Sequence, residues 1–89
     1  MKTYKTVDDF LASNDNKEGT IITLAGYGIL DGIKSLGSKY DTYKVTNRST
    51  KTTLSIKAYQ GRKSLSLRPD YYDQQVAVIT REEFKKLAS

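Results

Sequence analysis

Cysteine, histidine and tryptophan are all missing from this chain, and proline occurs once, at Pro69. Without cysteine there is no disulfide and no thiolate metal site, so a domain of 89 residues must hold together by packing, by a partner or by oligomerisation. Without histidine the commonest general base, the commonest metal ligand and every Ser-His or Cys-His nucleophile are gone. The carboxylates do not take over that work. Asp8-Asp9 and Glu82-Glu83 sit where helix starts favour negative charge, and no acidic cluster suggests a metal. Long apolar runs are missing too. The longest aliphatic run is Val76-Ala77-Val78-Ile79, against the roughly 7–15 residues of a signal core and about 20 of a membrane span. These absences predict a non-enzymatic, cofactor-free and metal-free protein of the cytoplasm with no membrane partner.

What the chain has is positive charge, concentrated in its middle. Residues 32–68 carry Lys34, Lys39, Lys44, Arg48, Lys51, Lys57, Arg62, Lys63 and Arg68 against the single acid Asp41, a net of +8, whereas the whole chain stands at +5. A basic block between mildly acidic ends points to a polyanionic partner. With 28% charged and 37% apolar residues, the composition is that of one globular domain with a thin core. Only Asn14 to Gly19 reads as unstructured.

Local patterns divide the chain into short elements. Thr6-Val7-Asp8-Asp9 is a helix start, and Val7, Phe10 and Leu11 follow at the spacing of one apolar stripe. Thr20 to Leu30 turns to strand, interrupted by Gly26-Tyr27-Gly28, and Asp31-Gly32 predicts a hairpin back through Ile33–Leu36. Three alternating strands come next. In the first, Tyr43 and Val45 oppose Tyr40, Thr42, Lys44 and Thr46. In the second, Leu54, Ile56 and Ala58 oppose Thr53, Ser55, Lys57 and Tyr59. In the third, Leu65 and Leu67 oppose Ser64, Ser66 and Arg68. Each has an apolar face backed by hydroxyls and cations. Gln75 to Ile79 is apolar throughout and predicts a central strand, after which Thr80-Arg81-Glu82-Glu83 forms a capping box before a helix with Phe84, Leu87 and Ala88 inward.

The predicted fold class is α+β: a small twisted antiparallel sheet of about five strands, flanked by short N- and C-terminal helices that both cover its apolar face. A partly open barrel is the other arrangement the pattern allows. Ile22, Leu24, Val45, Leu54, Ile56, Leu65, Leu67, Val78, Phe10 and Phe84 form the expected core.

The opposite face is the candidate site. Paired in order, the three strands gather Tyr40, Lys44, Lys57, Tyr59 and Arg68 among Thr and Ser hydroxyls. Cations contact phosphates, hydroxyls donate to backbone oxygens and tyrosine rings offer stacking, which suits RNA or single-stranded DNA. Arg48 and Lys51 in one turn and Arg62 and Lys63 in the next extend the basic surface, at one edge or at opposite ends according to register. Seven of the nine aromatic residues are tyrosine, and Tyr71-Tyr72 and Tyr27 could either stack bases or cover the core. The competing reading of the whole face is a solvated surface that keeps a sheet edge from aggregating. A His-free ribonuclease acting through Tyr59, Lys57 and Arg68 is a further alternative.

The run Gly61-Arg62-Lys63-Ser64-Leu65-Ser66-Leu67-Arg68-Pro69-Asp70 is similar to the segment that closes the sheet in the PC4-like single-stranded DNA-binding family. There a Gly-Arg-Lys turn leads into a short alternating strand and a Pro-acid helix start. The resemblance implies single-stranded DNA as a ligand. It covers ten residues, and this chain departs from it by inserting Val76–Ile79 before its last helix. A second resemblance, of style only, is to small early phage proteins that inhibit bacterial enzymes or defence systems. It implies a bacterial or phage-infected cell and a protein partner, alone or together with RNA, or a homodimer, docked at a sheet edge.

Overall fold

A computed structural model describes residues 2–24, 42–59, 61–70 and 75–88. The elements are β1 (Lys2–Tyr4), α1 (Val7–Leu11), β2 (Ile21–Leu24), β3 (Thr42–Val45), β4 (Leu54–Ala58), β5 (Ser64–Leu67), β6 (Val76–Val78) and α2 (Arg81–Ala88). The strands form one antiparallel sheet in the order β1-β6-β2-β3-β4-β5. Among the described residues its edge strands β1 and β5 do not pair, so the sheet is not closed. The fold is the expected α+β sheet with terminal helices, and β1 is a strand that the sequence pattern did not predict. The Asp31-Gly32 hairpin, Gly26-Tyr27-Gly28, Lys34, Lys39, Tyr40 and Tyr71-Tyr72 lie outside the described residues.

Both helix starts follow their local chemistry. Thr6 Oγ1 accepts the Asp9 N–H at 3.1 Å, with Asp8 and Asp9 in the first turn. Thr80 and Glu83 complete a reciprocal box. The Glu83 N–H donates to Thr80 Oγ1 at 3.1 Å, and the Thr80 N–H donates to Glu83 Oε1 at 2.9 Å. That backbone bond from Thr80 is the main reason the Glu83 carboxyl sits below its ordinary pKa. A helix as short as α1 does not persist alone. It is held because Val7, Phe10 and Leu11 are all buried, in a core with Ile22, Leu24, Tyr43, Val45, Leu54, Ile56, Leu67 and Val76.

Alternation assigns every strand residue to a face. Ile22, Leu24, Tyr43, Val45, Leu54 and Ile56 point to the α1 side. Their sequence neighbours point the other way, and that second face is not uniformly open. Ile21, Ile79 and Phe84 form a separate buried cluster with Tyr59 packed against it. The expectation that both helices share one face is therefore corrected: α1 covers one face of the sheet and α2 the other. β2 is buried along its whole length, and β6 is central, paired with both β1 and β2. A strand covered on both sides reads as a continuous apolar run, as Val76–Ile79 does.

The segment 14–19 is not structureless. Asp15 accepts from the Tyr4 hydroxyl and ion-pairs with Lys2 at 3.3 Å, which ties β1 down. The Asn16 amide donates to the carbonyls of Leu11 at 3.2 Å and Thr50 at 3.0 Å, joining the end of α1 to the β3–β4 turn. Gly19 adopts φ +94 with open space around it, so backbone conformation is what favours glycine there.

Candidate nucleic-acid interface

The site lies on the α2 side of the sheet, in the half that α2 leaves uncovered. In the β3–β4 ladder Lys44 stands directly opposite Lys57, and both are exposed. Like charges in direct cross-strand register are destabilising. Neither lysine has an ion-pair partner among the described residues. Lys57 in turn faces Ser64 on β5, and the next rows carry Ser55 opposite Ser66 and Thr46 beside Ser55.

Beside this pair the sheet forms a depression of about 590 Å³. It is lined by Arg48, Lys57 and the hydroxyl residues Thr46, Thr53, Ser55, Ser64 and Ser66, together with Asn47, Ile56 and Leu65. Among the described residues no carboxylate lines it. The hydroxyls are oriented from behind. The Arg48 N–H donates to Thr46 Oγ1 at 3.3 Å, and Thr46 Oγ1 donates to Ser55 Oγ at 2.7 Å. With Thr46 as donor, the Ser55 proton is available to an acceptor in the depression.

The turn that presents Arg48 is braced as well. Ser49 Oγ donates to Asn16 Oδ1 at 2.8 Å and accepts the Ser55 N–H at 3.3 Å, while Thr50 Oγ1 accepts the Thr53 N–H at 3.1 Å. Arg48 thus projects from a turn anchored both to its own hairpin and to α1.

The predicted residues fare unevenly. Lys57 and Arg48 line the depression, and Lys44 stands outside its lining, opposite Lys57. Arg68 follows β5, exposed, in an ion pair with Asp70 at 3.3 Å, about 13 Å along the strand from the Lys57 row. Lys51 is exposed in the Arg48 turn but does not line the depression. Arg62 and Lys63 are exposed in the β4–β5 turn, at the other end of β4. The five residues of β4 set the two turns about 17 Å apart, so opposite ends is the outcome.

Tyr59 departs most from expectation. Its ring meets Phe84 edge-to-face with centroids 4.5 Å apart, and it is half-buried rather than open for stacking. It also stands apart from Arg68, so Tyr59, Lys57 and Arg68 do not gather around one bond. Thr42 is on the predicted face but is fully buried, as is its cross-strand neighbour Thr23. Ser55 belongs to the predicted hydroxyl face, whereas Asn47 and the bond between Thr46 and Ser55 are added by the structure. The alternation of Thr46 and Ser55 was visible, but their pairing depends on register.

Comparison with family models, with curated proteins and with solved structures finds no match to this chain.

Proposed function

We propose that this protein binds the sugar–phosphate backbone of RNA or single-stranded DNA in the depression over β4, β5 and the β3–β4 turn, with Lys44 of β3 beside it. The observation that carries the reading is the Lys44–Lys57 cross-strand pair beside a concavity lined by hydroxyls and, among the described residues, by no acid. A stability argument alone disfavours two lysines in direct register, whereas an anion bound between them turns the repulsion into an attraction. Arg48 and Lys57 supply charge to phosphate oxygens, and Ser55, Ser64 and Ser66 supply neutral donors. Such contacts fix the strand's path without reading its bases. Tyr59 is left out of the contact set because Phe84 occupies its edge.

The test is charge reversal at the pair. Lys44→Glu with Lys57→Glu should weaken binding of a fluorescent single strand at least about tenfold in anisotropy titrations at fixed salt. Circular dichroism of the same variant checks the fold. Unchanged affinity in a folded double variant would remove the site from this half of the sheet. Purified protein free of nucleic acid that captures one stoichiometric protein instead would favour the inhibitor reading.

A further inference from the structure

The two edges of the sheet are finished differently. β1 is three residues long, and its exposed Lys2 is held in an ion pair with Asp15. Short, charged edges of this kind resist further pairing. β5 is also short, at four residues, with Lys63 before it and Arg68 and Pro69 after it, but these lie outside the strand itself. Ser64–Leu67 contains no charge and no proline, and among the described residues nothing pairs with its outer side.

The hydrogen-bond phase of that outer side is known. The Ala58 N–H donates to the Lys63 carbonyl at 2.7 Å, so Lys63, Leu65 and Leu67 turn their backbone groups toward β4. Ser64 and Ser66 turn theirs outward. A strand added here must match this phase, keep polar and apolar faces aligned, and suit the charges at both ends.

We infer that the occupant is a second copy of β5, paired antiparallel about a two-fold axis at Ser66, so that two chains form one continuous sheet. In that register Ser66 faces Ser66 of the other copy, Leu65 faces Leu67, and Ser64 faces Arg68. Apolar stays with apolar on the α1 side. Pro69, which has no N–H to give, falls opposite Lys63, where neither backbone is turned to the other. Beyond the strand ends Arg62 of one copy comes beside Asp70 of the other, twice by symmetry. The neighbouring face-matched register, centred on Leu65, sets Arg62 against Arg68 and is disfavoured by like charge. The axis is perpendicular to the sheet, so both depressions open on the same side and meet along a seam of serines. The two Lys57 residues then lie about 20 Å apart, about 14 Å across the strands and about 13 Å along them. That wider surface as a nucleic-acid track rests on the reading proposed above; the pairing itself does not.

Sedimentation equilibrium of the full chain without nucleic acid tests the pairing. A contact this small predicts a reversible dimer with a dissociation constant on the order of tens of micromolar. Ser66→Pro removes an outward N–H without touching the β4 ladder and should give a monomer. Arg62→Asp or Asp70→Arg alone should weaken the dimer, and the two together should restore it. Because restoration requires a folded chain, this pair decides the matter even if Ser66→Pro misfolds. A wild-type monomer throughout the range, a dimer untouched by Ser66→Pro, or association only with an added acidic peptide would overturn the inference. A labelled single strand added afterwards separates the two claims. A dimer that ignores it contradicts the binding site alone, and a monomer that binds it contradicts the pairing alone.

Discussion

The two halves of the α2-side face are built from the same alternating strands, yet they have opposite characters. Over β6 and β2 the face is Ala77, Ile79, Ile21 and Thr23, buried, with Phe84 of α2 in the Ile21–Ile79 cluster. Over β3, β4 and β5 it is Lys44, Lys57, Ser55, Ser64 and Ser66, and all of these but Lys44 line an open depression. The difference teaches that this face is not one surface. One half carries stability, and the other carries charge at some cost to stability. The α1 side has no such division, and its core runs under all the strands from β6 to β5.

Substitutions at equivalent aromatic residues should break the comparison most visibly. Phe10 is fully buried in the larger core, so Phe10→Ala should lose about 3–5 kcal/mol, a transfer loss plus a cavity. For a domain of this size that is much of the total stability. Phe84 sits in a peripheral cluster that can close up, so Phe84→Ala should lose nearer the transfer value alone, about 1.5–3 kcal/mol. Urea denaturation compares them directly. Affinity for single strands should survive Phe84→Ala, and its loss in the folded variant would mean that α2 belongs to the site.

A smaller effect, of opposite sign, sharpens the contrast. Lys44→Glu alone replaces a repulsive cross-strand pair by an attractive one and should stabilise the fold by about 0.2–1 kcal/mol. The same change should weaken single-strand binding. Stability that falls together with affinity would deny that the lysine pair is kept for binding.

Much of this division could be read from the chain, and the part that could not has a physical cause. The caps at Thr6 and Thr80 act between residues three apart, so their outcome is local and legible. Alternation in β3, β4 and β5 likewise sorted Lys44, Lys57, Leu54 and Ile56 correctly. Helix periodicity shows that α2 has an apolar stripe, but not which face of the sheet receives it. The clue was in β2 and β6, where Ile21 adjoins Ile22 and Val76–Ile79 is unbroken, because strands like these need cover on both sides. β1 escaped because three residues, Lys2-Thr3-Tyr4, are too few to show a period. The depression depends on β3–β4–β5 register, which joins residues far apart in sequence.

The smallest predicted effect concerns the tie that holds β1. Asp15 lies below its ordinary pKa because it accepts the Tyr4 hydroxyl and faces Lys2. A carboxyl lowered by folding stabilises the native state above its unfolded value, and that contribution is lost as pH falls through the folded value. Stability from Asp15 is therefore complete above about pH 3.8 and declines below it, as does that from Glu83 below about 4.5. Asp15→Asn should flatten part of this acid limb in urea midpoints measured against pH, while leaving binding at neutral pH unchanged. An acid limb identical to wild type would show that the tie contributes nothing.

The central claim, that the open half of this face exists to meet phosphates, is tested most directly by the salt dependence of single-strand binding. With Lys44, Lys57 and Arg48 each neutralising one phosphate, log affinity should fall against log salt with a slope of about −2, at roughly −0.7 per phosphate. In the Lys44→Glu, Lys57→Glu variant the slope should shrink by about 1.4. A flat plot for the wild-type protein, or a slope that the double variant leaves unchanged, would contradict the account.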